Sequence, residues 1–133
     1  MPSRMELHGD LIYIAQEELG APAERLLQTI PVLATESILN EPMADFEGAD
    51  PYPDRTEEAA LYGAWIICRR PFPKRNRQIG YRFMRLMLKR AEVPWPRAQE
   101  DSYEIAQMLR RLEEEEISVG KFVEWVCLRV ATA

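Results

Sequence analysis

The residues best placed to do chemistry lie between Cys68 and Phe83, in the stretch CRRPFPKRNRQIGYRF. Pro71 and Pro73 frame a turn, Asn76 stands where a helix would open, and Arg69, Arg70, Lys74, Arg75 and Arg77 surround both. A turn that feeds a helix N-terminus suits an anion, because the first backbone N–H groups are unpaired and the helix dipole is positive there. The cations extend that field. Nine of the 17 Lys and Arg lie from Arg69 to Arg90, with no acid between Glu58 and Glu92, in a chain of net charge −5. Such an uneven field draws an anionic partner: a nucleotide, a nucleic acid or an acidic protein segment. Other chemistry is sparse. His8 is the one histidine and is expected to lie exposed, ahead of the first helix. Cys68 and Cys127 show neither CxxC spacing nor a nearby histidine, so they read as buried thiols, and no metal site is expected.

The elements that must position this stretch are helical. With 133 residues and 47% apolar content the chain can bury one core, which predicts a single domain over 1–133. Apolar residues recur at helical spacing, and no stretch alternates long enough to predict a strand. A first helix is expected from a cap at Asp10 to Leu19, ended by Gly20, and a second from Pro22 towards Asn40. The segment EPMADFEGADPYP, from Glu41 to Pro53, is expected to be irregular. Asp54 and Glu57 open a third helix carrying Ala60, Leu61, Ala64, Ile67 and Cys68, which must stop at Arg69 or Arg70 because Pro71 disfavours helical geometry before it. A fourth follows from an Asn76 cap, with Ile79, Phe83, Leu86 and Met87 inward. After VPWP, Asp101 opens a fifth and Ser118 caps a sixth, while Trp65, Trp95 and Trp125 read as packing residues. No apolar run reaches the roughly 18 residues of a membrane span. The N-terminal MPSRMELHGD lacks the apolar centre of a secretory signal, so a cytoplasmic chain with no membrane partner is expected.

Helix, nine-residue loop, asparagine and amphipathic helix together resemble the Fic/Doc (Fido) family, and most closely its short Doc-type toxins of toxin-antitoxin systems. The family motif H-x-F-x-D/E-G/A-N-x-R falls on RPFPKRNRQ, Arg70 to Gln78, where Phe72 and Asn76 match. HGDLIYIAQEELGAP resembles the family's first helix, and EEISVGKFVEWV resembles its closing one, so the likeness spans nearly the whole chain. It implies an all-α, compact six-helix Fic/Doc-like bundle with the motif loop between two central helices. It also implies phosphoryl or nucleotidyl transfer from a nucleotide to a protein hydroxyl, with a translation factor as target.

The residues that would perform that transfer are replaced. Arg70 stands at the position of the proton-accepting histidine, and a guanidinium stays protonated. Lys74 stands at that of the magnesium-holding acid, although magnesium wants oxygen ligands. Arg75 replaces a small residue, and Gln78 the arginine that steadies the transferred group. The resemblance therefore predicts a catalytically impaired pseudoenzyme that binds a protein partner of the acidic antitoxin kind. A nucleotide such as ATP is a second expected ligand, bound without magnesium by Phe72, Lys74, Arg75, Asn76 and Arg77. Two other readings stand beside it: a divergent Fido transferase acting on a translation factor, with Arg70 and Lys74 as electrophiles, and a helical nucleic-acid binder. Net acidity argues against the last.

Overall fold

The computed structural model describes residues 4–22, 25, 55–96 and 101–131. Among these it holds five α-helices and no strand: α1 Arg4–Leu19, α2 Arg55–Arg69, α3 Asn76–Arg90, α4 Asp101–Glu113 and α5 Val119–Ala131. This all-α, five-helix bundle replaces the expected six-helix Fic/Doc-like one. The five correspond to the expected first, third, fourth, fifth and sixth helices. The expected helix from Pro22 towards Asn40 and the irregular 41–53 segment lie outside the described residues. So does the Asp54 cap. No helix among the described residues is long and apolar enough to cross a membrane.

The bundle is built on the α2–α3 hairpin. Its two helices approach closely because each offers a glycine to the other. A Cβ on Gly80 would lie 2.8 Å from the Gly63 carbonyl oxygen and 2.8 Å from a side-chain carbon of Ile67. A Cβ on Gly63 would come within 3.1 Å of the Gly80 oxygen. Around that crossing Ile66, Ile67, Ile79, Phe83 and Met84 are fully buried. Tyr62 meets Phe83 edge to face, with ring centroids 5.8 Å apart. α5 packs on α2 and α1 on α3, while α4 touches both hairpin helices.

α1 starts earlier than its expected Asp10 cap, for a simple reason. Leu7, Leu11, Ile14 and Ala15 form one buried stripe, so the helical repeat is already running before position 10. Asp10 sits mid-helix facing α3, where it pairs with Arg90. Three of the sequence-based boundaries hold: α2 ends at Arg69, α4 begins at Asp101, and Ser118 caps α5, its Oγ accepting from the Lys121 amide at 3.1 Å. All three tryptophans pack, half-buried, against the core. Neither cysteine forms a disulfide, but Cys68 is exposed and Cys127 half-buried, which corrects the expectation that both are interior.

Candidate functional site

The loop between α2 and α3 is set by two residues in left-handed backbone geometry. Arg70, φ 49°, turns the chain out of α2, and Arg75, φ 60°, turns it into α3. Between them Pro71 and Phe72 are buried, whereas Pro73 and Lys74 are exposed. Position 75 is the one where the resemblance has a small residue. A left-handed φ there suits glycine and strains residues bearing a Cβ.

Asn76 does not cap α3. Arg75 occupies the cap position and makes no side-chain capping bond, and Asn76 is the first helical residue. Its side chain is buried and turned back across the loop. The Phe72 amide donates to Asn76 Oδ1 at 3.0 Å, and Asn76 Nδ2 donates to the Phe72 carbonyl at 2.9 Å. One carboxamide thus satisfies both backbone polar groups of a buried residue, while the Phe72 ring, 3% exposed, anchors the loop in the core. Of the five expected phosphate ligands, Phe72 and Asn76 are thus bonded to each other across the loop. Both are buried, and the amide donors of Asn76 already serve Phe72.

The cations of the loop are likewise engaged, with one exception. Arg75 donates through Nε and Nη2 to Glu18 Oε2 at 3.1 and 2.9 Å. Arg77 pairs with Glu113 at 3.3 Å. Arg70 Nη2 donates to the Glu113 backbone carbonyl at 3.1 Å, placing a guanidinium on the C-terminal turn of α4, where a cation is favourable. Lys74 is exposed and makes no polar contact with the described residues. Further along α3, Arg82 pairs with Glu17 and Glu18, and Arg90 with Asp10. Much of the basic island is thus the counter-face of acids on α1 and at the end of α4.

Among the described residues, the histidine and the α2 carboxylates that could serve transfer chemistry are not brought to this loop. His8 lies within α1, half-buried, with its Nδ1 buried and unbonded, and not ahead of the helix as expected. It is ten residues from Glu18, about 15 Å along the helix axis. Since Glu18 meets Arg75 and Asp10 meets Arg90, His8 stands towards the opposite end of α3. Glu57 and Glu58 lie in the first turn of α2, remote from its Arg69 end. No group of three His, Cys, Asp or Glu among the described residues could hold a metal ion. Gln78 and Arg77 do line a cleft of about 270 Å³, whose α4 side is Ile105, Ala106 and Leu109. Next to the loop, Cys68 has its thiol pushed up from the ordinary value, chiefly by partial burial of the sulfur and then by Glu115, despite the exposure of the residue as a whole.

Sequence reasoning missed the partners of these cations and the Gly63–Gly80 crossing. The first join residues far apart in the chain, and the second rests on two glycines that no turn signal marks. Comparison with protein-family models, with curated proteins and with solved structures finds no match to this chain.

Proposed function

We propose that this chain is a non-catalytic binding protein, related to Doc-type toxins through its loop, whose partner is an acidic protein segment. One observation carries the reading. Arg70, at the position of a proton acceptor, is bonded to the end of α4, and the acids nearest the loop, Glu18 and Glu113, are bonded to Arg75 and Arg77. Among the described residues the two carboxylates that meet the loop's arginines are thus engaged and no metal-holding cluster is found, and losing a general base alone lowers a transfer rate about 10²- to 10⁴-fold. Meanwhile the clamp of Asn76 on Phe72 keeps the loop ordered. A phosphate would have to displace Glu18 and Glu113 from their arginines, which favours a protein partner over a nucleotide.

The partner surface is the cleft between α3 and α4. Ile105 and Leu109 give it an apolar floor, Arg77 and Gln78 stand on the α3 side, and Tyr103 on α4 is 74% exposed. Exposed Lys74, in the loop that leads into α3 and without a carboxylate partner among the described residues, biases it towards an acidic segment. The test is a transfer assay with γ-labelled and, separately, α-labelled ATP, magnesium and an elongation factor. The native chain is expected to transfer nothing, and magnesium-dependent labelling of the factor would overturn the proposal. The variant Arg70→His, Lys74→Asp, Arg75→Gly, Gln78→Arg is the positive arm, expected to gain ATP-dependent labelling.

A further inference from the structure

The cations of α3 divide into two sets. Arg75, Arg77, Arg82 and Arg90 each touch a carboxylate from another helix. Arg85 and Lys89, one turn apart, have no carboxylate partner among the described residues. Arg85 bonds to the Tyr81 hydroxyl at 3.0 Å and lies over the Tyr81 and Trp95 rings. Lys89 is exposed. Both line a cleft of about 470 Å³ whose other wall comes from Val93, Pro94 and Trp95. That volume suits a small molecule. The cleft is separate from the loop, since Arg85 is nine residues from Asn76, about 13 Å along the helix.

The walls of the cleft select a chemistry. Trp95 is fixed from several sides: the guanidinium carbons of Arg85 and Arg129 lie 5.4 and 5.3 Å from its ring centroid, and Tyr81 and Trp125 meet it edge-on. These contacts hold the ring in place where it lines the cleft beside Val93 and Pro94. Its indole N–H is buried with no acceptor. A purely apolar ligand would strip water from two cations without replacing it, and a bare inorganic anion would leave the apolar wall wet. A ligand carrying both a ring and a charge meets both conditions.

We propose that this cleft binds a small aromatic anion, a flat ring bearing a carboxylate or a phosphate group. Lys89 and Arg85 hold the charge, and Trp95, Val93 and Pro94 contact the ring. Calorimetry with 2-naphthoate and with phenyl phosphate tests it and distinguishes the two kinds of charge. At least one is expected to bind saturably and to shift the Trp95 indole resonance. Lys89→Gln should weaken binding about tenfold or more, as expected for loss of a bond to a charged group. Lys89→Arg should retain it. Lys89 is exposed, so neither variant disturbs packing. The proposal is overturned if neither anion binds, if neutral 2-naphthamide binds as well as naphthoate, or if Lys89→Gln binds with unchanged affinity.

Discussion

At the residue scale the loop depends on one carboxamide. Asn76→Ala would leave the Phe72 amide and carbonyl buried without partners, and about 2 to 4 kcal/mol of stability should be lost in urea unfolding. Arg75 allows a finer comparison. Its φ of 60° strains every replacement except glycine, while its bond to Glu18 is exposed enough to be worth only about 1 kcal/mol or less. Arg75→Gly should therefore be about 1 kcal/mol more stable than Arg75→Ala, which loses the ion pair and keeps the strain. Cys68 gives the pH-dependent case. A thiol pushed up carries less thiolate at a given pH, so its alkylation, followed peptide by peptide to separate it from Cys127, should be slower near pH 8 than that of a free cysteine. Glu115→Gln removes one of the raising influences and should speed the reaction, though not to the free rate, because burial is the larger cause.

At the element scale the decisive feature is the approach of α2 to α3. Gly80→Ala would gain roughly 1 kcal/mol of helix propensity. Against that, its new methyl meets the Gly63 carbonyl at 2.8 Å, a backbone atom that cannot rotate away. The clash should win, destabilising the fold by about 1 to 3 kcal/mol. Gly63→Ala, with its nearest contact at 3.0 Å, should cost less. This crossing shows where the sequence stops being legible. Pro71 marked the end of α2, Asp101 the start of α4 and Ser118 the cap of α5, because each acts on neighbours within a few residues. Gly63 and Gly80 look like ordinary helical residues until the helices are set side by side. Asn76 illustrates the same limit. An asparagine before an amphipathic run reads as a cap, yet the buried loop in front of it gave its side chain a better pair of partners.

At the scale of the whole molecule, the paired cations of α3 and its cap find their carboxylates on other helices. Arg75 and Glu18 are 57 residues apart and Arg90 and Asp10 are 80 apart, so a linear reading saw a basic island where the fold makes an antiparallel seam between α1 and α3. Each exposed pair contributes about 0 to 1 kcal/mol. At 1 M salt, where the screening length is about 3 Å, the seam should weaken only slightly. Its larger effect is on association. The native chain should pass a heparin column with little retention, whereas Glu17→Gln, Glu18→Gln, Glu113→Gln together should be retained, because the arginines lose their internal counter-charges. Strong, salt-sensitive retention of the native chain would instead favour a polyanion-binding role.

The bond from Arg70 to the Glu113 carbonyl limits what position 70 can become. A histidine introduced at 70 would have to let go of the far helix, so a proton acceptor and that tether are alternatives at a single site.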